Sequence, residues 1–162
     1  MEMRSKARRL KMERGLGLIM IDYLQIIRPH SKHQNKADLI GDISMAIKAL
    51  AKELEVPIMV LAQLNREFEK DSGGAVGKDG RPKMARKPRL SDLRDSGAIE
   101  ADADIVIFID REKDLQKNPD QLTTMVIGKN RSGELGDVFF KFDGALSSFI
   151  DVPAPPWARQ GG

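Results

Sequence analysis

Four places in this chain combine residue type and spacing in a way that could do chemistry. Leu18-Ile19-Met20-Ile21 is a continuous apolar run that ends in Asp22. A rigid strand that delivers a carboxylate at its end can hold Mg²⁺ through water, because Mg²⁺ keeps part of its hydration shell beside a phosphate. The run Ile58 to Ala62 ends in Gln63, whose neutral amide can hydrogen-bond a γ-phosphate or a water and register its loss. Arg94, Asp95 and Gly97 follow a basic stretch. Arg94 could contact a phosphate, and Gly97 lets a backbone N–H approach a nucleic-acid strand closely. Finally, Lys129 and Arg131 lie within Gly128-Lys129-Asn130-Arg131-Ser132-Gly133. An Arg there could neutralise charge on a neighbour's triphosphate in the transition state, and Lys129 could do similar work as a point charge.

Each of these also has a plain structural reading. Asp22 fits a cap at a strand end, and Gln63 an amide satisfied by backbone groups. Asp95 or Ser96 fits the N-cap of a short helix, and residues 128–133 fit an ordinary basic turn. One absence weighs on the choice. The phosphate-cradling pattern G-x-x-x-x-G-K-[ST] does not occur in these 162 residues. Gly73-Gly74-Ala75-Val76-Gly77-Lys78 has neither its spacing nor the following Ser or Thr, and it falls in a loop rather than between a strand and a helix.

The elements that must position these groups are read from periodicity. The apolar runs 18–21, 58–62, 105–109 and 122–127 predict strands, the first three of the kind buried on both faces in a parallel sheet. Leu39, Ile43, Ile47, Leu50 and Leu54 fall at helical spacing and predict a helix over 36–55, stopped by Pro57. Residues 1–14 predict another helix, with Met3, Ala7, Leu10 and Arg14 on one side, and 96–101 a short one. The segment 70–91, with its Gly, Pro and charges, predicts a long loop. Residues 128–133 predict a turn, and Asp143-Gly144 a hairpin joining 138–142 to 148–150. The alternation of strand and helix predicts an α/β fold with a mostly parallel central sheet and a C-terminal antiparallel hairpin. Ligands then sit beyond the carboxyl ends of the strands, where Asp22, Gln63 and Asp110 lie. The domain is expected over 1–150, and 151–162, rich in Pro and Gly, as a loose tail.

Composition narrows the class. The chain is 41% hydrophobic and 31% charged, which suits a folded domain rather than a disordered one. It has no Cys and two His, which excludes disulfides and thiolate chemistry and argues against a transition-metal site. No apolar run reaches the roughly 20 residues of a membrane span, so a cytoplasmic protein without membrane contact is expected. The net charge of +3 is unevenly spread. Residues 1–14 carry six Lys or Arg against two Glu, and residues 78–94 seven against two Asp, which suggests local contact with a polyanion.

Taken together, four segments resemble one family. GLGLIMIDYLQ at 15–25 looks like the Walker B segment of bacterial replicative helicases of the DnaB type. VPIMVLAQLNR at 56–66 resembles the motif that ends in their sensor Gln, and RLSDLRDSGAIEADAD at 89–104 their DNA-binding loop and the helix after it. GKNRSG at 128–133 is similar to the segment with their Lys and arginine finger. The four occur in family order over roughly residues 1–150. The resemblance implies a partial RecA-like motor, using ATP and Mg²⁺, in a homohexameric ring that moves on single-stranded DNA and partners primase and a loader. Asp22 would hold Mg²⁺ through water, and Gln63 would couple the γ-phosphate state to the DNA loop. Arg94, Asp95 and Gly97 would lie at the DNA phosphates, and Lys129 and Arg131 would reach the adjacent subunit's ATP.

Two departures shape the expectation. The family usually has Glu where this chain has Asp95, and the family's collar domain, P-loop and catalytic Glu are not among these residues. This chain alone is therefore expected neither to bind ATP tightly nor to unwind DNA. A non-enzymatic single-stranded DNA-binding fragment, a recombinase-like relative and an orphan remnant with a bare sheet face are the competing readings.

Overall fold

Nineteen residues of helix carry most of the apolar packing. In the computed structural model, which describes residues 2–27, 36–65, 68, 87–93, 96–111 and 122–155, the helix predicted over 36–55 runs Lys36–Leu54 (α2). Its buried side chains are Ile40, Ile43, Ile47, Leu50 and Leu54, the 3–4 spacing of one helix face. Leu39, expected on that face, lies at its margin, half-buried. The helix stops before Pro57 does its work. Glu55 takes a left-handed φ of 49°, and Val56 N–H donates to the Ala51 carbonyl (3.2 Å), which closes the last turn.

The described residues divide into two compact units, those of 1–83 with 91–103 and those of 84–90 with 104–162. In the first, strands Ile19–Ile21 (β1) and Ile58–Val60 (β2) pair in parallel, Ile19 opposite Ile58 and Ile21 opposite Val60. Ile19, Ile21, Ile58 and Val60 pack on the α2 clusters. The other face carries Leu18, Met20, Met59 and Leu61, each 46–66% exposed. The expectation of strands buried on both faces thus holds for one face only.

The amino-terminal helix forms as Glu2–Arg14 (α1) and ends at Gly15, whose φ of 74° suits a glycine cap. Of the side expected to be apolar, only Ala7 is buried, against Leu50, Leu54 and Val56, whereas Met3 and Leu10 are exposed. Charge takes over the attachment. Arg4 and Arg8 both donate to Glu53, and Lys11 donates to the Leu54 carbonyl at the end of α2, where a cation also meets the helix dipole.

In the second unit, Ile105–Arg111 (β3), Leu122–Asn130 (β4), Gly136–Asp143 (β5) and Ser148–Asp151 (β6) form one antiparallel sheet in sequence order. This corrects the mostly parallel centre. Among the described strands, only β1–β2 is parallel. β3 alternates rather than being buried on both faces, with Val106 and Phe108 inside and Ile105, Ile107 and Ile109 exposed. The hairpin at Asp143-Gly144 is present, though its turn is longer than two residues. Asp143 Oδ1 accepts from the N–H groups of Ala145 (2.9 Å) and Leu146 (3.3 Å), and Ser147 rather than Gly144 takes positive φ. Asp151 closes β6, and Val152 N–H donates to the Phe139 carbonyl (3.2 Å). Residues 156–162 of the expected tail and most of the 70–91 loop lie outside the described residues.

The Arg8 and Arg4 hydrogen bonds hold the Glu53 carboxyl below the ordinary Glu range. A carboxyl lowered in the folded state contributes stability at neutral pH, and that contribution is lost as pH falls through the lowered value. The docking of α1 should therefore loosen at acid pH and in high salt before α2 does. Hydrogen exchange by fragment should show protection of 2–14 falling first. Glu53→Gln should show the same loss at neutral pH.

Candidate functional site

In a parallel pair both carboxyl ends point the same way, so whatever follows β1 and β2 shares one edge. Asp22 follows β1 directly and is exposed there. Beyond the formal strands the ladder continues, with Leu61 N–H donating to the Ile21 carbonyl (2.9 Å) and Leu24 N–H to the Leu61 carbonyl (2.8 Å). Those bonds fix the backbone on either side of Asp22. Gln63, also exposed, comes two residues after Leu61. The structure therefore brings Asp22 and Gln63 to the same end of the same strand pair.

The chain after Gln63 does not wander off. Leu64 bridges Leu93 in antiparallel fashion, and Asn65 N–H donates to the Asp92 carbonyl at 2.8 Å. Asp92 and Leu93 are themselves buried, so the joint is anchored. The residue after Leu93 is Arg94. Arg94 and Asp95 lie outside the described residues. Gly97 is exposed near the start of helix Ser96–Asp102 (α3), which packs on α2 so closely that a Cβ on Gly41 would sit 3.4 Å from that of Ala98. Gly97 lines an open groove of about 510 Å³ with Ala37, Asp38, Gly41, Asp42, Met45 and Ala98.

Lys129 and Arg131 belong to the second unit. The predicted turn over 128–133 is corrected at its start, because β4 runs through Asn130. Lys129 is a half-buried strand residue opposite Val106, not a turn residue. Gly128 reads in sequence as a turn signal, but it serves a bulge. The ladder shifts between Val106 and Ile107, which leaves Gly128 without an opposite residue, and a Cβ there would come within 2.5 Å of the Phe108 ring. The turn itself is Arg131 to Gly133. Asn130 staples it, with Oδ1 accepting from Ser132 N–H (3.4 Å) and Nδ2 donating to the Glu134 carbonyl (3.3 Å).

Arg131 is exposed, yet it is held twice by one residue. Its N–H donates to the Asp104 carbonyl at 2.9 Å, and its guanidinium Nη1 donates to Asp104 Oδ1 at 3.1 Å. In sequence, Asp104 reads only as the last acid of an acidic helix end. The β3–β4 register, which sets Ile105 against Asn130, is what reveals the pairing. Asp110, the third polar strand end, lies opposite Thr124 within the ladder.

For Mg²⁺, the donor set is a single exposed carboxylate at a strand end. Among the described residues no group of three or more His, Cys, Asp or Glu is placed to hold a metal. One carboxylate suits an ion that keeps its waters and takes its remaining ligands from phosphate oxygens. Asp22 fits that part of a nucleotide site, while a phosphate cradle has no counterpart in the sequence.

A parallel strand pair with Asp and Gln at its carboxyl ends, layered on a long helix, defines a partial α/β fold of the RecA-like ATPase class. One solved structure, of an isolated helicase-type ATPase domain, superposes with a TM-score of 0.78 at 32% identity, over 93% of this chain and 50% of that one. Another, "The Structure Of A DnaB-Like Replicative Helicase And Its Interactions With Primase", gives 0.74 at 31% identity, over 93% of this chain and 34% of that one. The family model for the DnaB-like helicase C-terminal domain matches residues 1–151, and the chain belongs to that family. The replicative DNA helicase DnaB of Buchnera aphidicola subsp. Schizaphis graminum (strain Sg) is 41% identical over 159 residues, 96% of this chain and 32% of that protein. The chain thus spans about a third of the length of such relatives. The resemblance read from four short motifs is borne out.

The bulge makes a local prediction. Gly128→Ala must displace the Phe108 ring or the strand, and overpacking of this kind costs about 1–3 kcal/mol. Urea unfolding should show that loss. Gly133→Ala should cost less, because the atom it meets, Asn130 Nδ2, ends a side chain that can turn away.

Proposed function

We propose that this chain is the carboxyl-side portion of the motor of an ATP-dependent replicative DNA helicase. In this reading the complete protein is a homohexameric ring that translocates on single-stranded DNA in the cytoplasm with primase and a loader as partners. The observation that carries the proposal is the joint beyond Gln63. A residue at the nucleotide end of the parallel strands is connected, within two residues, to a backbone bridge that ends one residue before Arg94. A change at the strand ends is thereby passed to the DNA-contacting segment through paired backbone rather than through loose chain.

The roles follow from position. Asp22 orients Mg²⁺ through its waters, and the ion's chemistry is to neutralise charge on the β- and γ-phosphates. Gln63 donates or accepts a hydrogen bond at the γ-phosphate end. Arg94, Asp95 and Gly97 form the DNA contact, with Gly97 giving backbone access. Arg131, on a stapled turn, reaches outward to the triphosphate of an adjacent subunit, and Lys129 supplies positive charge from the strand before it. No helix among the described residues is long and apolar enough to cross a membrane.

Two measurements test this. The purified 162-residue chain should show no ATP hydrolysis above background, and hydrolysis that Asp22→Ala abolishes would overturn the partial-motor reading. In the complete motor, Asp22→Ala and Arg131→Ala should each abolish hydrolysis, Arg131→Ala by about 10³-fold or more. Mixing the two inactive proteins should restore activity, because some interfaces then pair an intact Asp22 with a neighbour's intact Arg131. If the mixture stays dead while mixed rings form, Arg131 does not act in trans. If the complete protein binds single-stranded DNA but neither variant alters any hydrolysis, the non-enzymatic DNA-binding reading replaces this one.

A further inference from the structure

The residue paired with Arg131 has no role in the reading above. We infer that Asp104 is a positioning residue, which holds the Arg131 guanidinium ready for a neighbouring subunit's triphosphate. The inference rests on the proposal that Arg131 acts on that triphosphate.

Three observations lead there. Arg131 follows the last residue of β4, and Asp104 precedes the first residue of β3, so the antiparallel register places them together whatever their side chains do. The backbone bond from Arg131 N–H to the Asp104 carbonyl then fixes where the Arg side chain begins. The carboxylate takes the guanidinium at 3.1 Å through Nη1. A guanidinium has five N–H donors in a planar fork, so it can keep this contact on one edge while another edge meets phosphate oxygens. Both side chains are about half exposed, 55% for Arg131 and 56% for Asp104. A partner arriving from outside the subunit can therefore reach the pair without unfolding anything.

The physical role is entropic and electrostatic together. A free Arg on a turn samples many rotamers, and each must be given up on binding. Asp104 restricts those rotamers beforehand. It also offsets the positive charge when no triphosphate is present, and it is too exposed to compete with the several charges of a triphosphate. A salt bridge that served only the sheet would stabilise the fold and leave hydrolysis alone.

The experiment is a double-mutant cycle in the complete ATP-hydrolysing motor that contains this chain. It measures kcat and KM for ATP with Asp104→Ala, Arg131→Ala and both, and thermal unfolding and ring assembly as controls. Asp104→Ala should lower kcat about 10-fold with KM within about twofold of the parent, the pattern of a lost transition-state interaction. In the Arg131→Ala background the same substitution should have no effect. Asp104→Asn, which keeps an acceptor oxygen at the same place, should recover most of the loss, and it stands in if the Ala variant fails to fold. Equal effects in both backgrounds, or no effect of either Asp104 variant while Arg131→Ala is inactive, would overturn the inference. If Arg131→Ala itself hydrolyses ATP normally, the trans reading fails first and this inference falls with it.

Discussion

The parallel pairing of β1 with β2 is the constraint on which the rest depends. Antiparallel neighbours would put the ends of the two strands at opposite edges, and Asp22 and Gln63 could not face one ligand. Parallel neighbours put both at one edge, provided the segment between them crosses back. Here the crossing contains α2, whose Ile43, Ile47 and Leu50 provide the surface on which Ile19, Ile21, Ile58 and Val60 pack. Burial of these residues, worth about 1.5–3 kcal/mol for each fully buried aliphatic side chain, sets the register. The register then sets the site. Asp22 and Gln63 themselves are exposed and contribute little to the packing that places them.

This division explains what is legible in the sequence. The α2 face, the strand runs 19–21 and 58–60 and the hairpin after Asp143 are local patterns, each visible from spacing alone. Asp22 and Gln63 are visible because a polar residue that ends an apolar run stands out. Pairing is not visible. The run 105–109 is as apolar as the run 18–21, and periodicity cannot say whether its neighbour runs parallel or antiparallel. Its outer face reads as a second buried face, yet Ile105, Ile107 and Ile109 are exposed. Gly128 shows the same limit. Its lack of a side chain signals a turn, while the need it meets is the Phe108 ring on the adjacent strand, a contact between residues 20 positions apart. Asp104 escapes a reading along the chain for a related reason, since its meaning lies in residue 131.

The bare faces belong to the same account. Parallel strands are ordinarily covered on both sides. Among the described residues, α2 covers one side of β1 and β2, and Leu18, Met20, Met59 and Leu61 remain exposed on the other. These four are contiguous across the pair, since Met20 is registered with Met59. Contiguous exposed apolar surface, unlike scattered single residues, marks a place where something packs. The family relationship gives it a rationale, because a solved ATPase domain of this fold is about twice the length matched here.

A group that must act on another subunit faces opposed requirements. It has to be placed accurately, which asks for contacts, and it has to leave those contacts when its target arrives, which asks that they be weak. The two bonds between Arg131 and Asp104 separate these requirements. The backbone bond is part of the sheet edge and is not given up when the side chain moves. The ion pair lies at the surface, where such pairs contribute about 0–1 kcal/mol and weaken with salt. A triphosphate, with several charges at close range, is the stronger partner. A buried carboxylate in place of Asp104 would hold the guanidinium too well, and no carboxylate would leave it unplaced. An exposed acid at the start of the adjacent strand meets both demands.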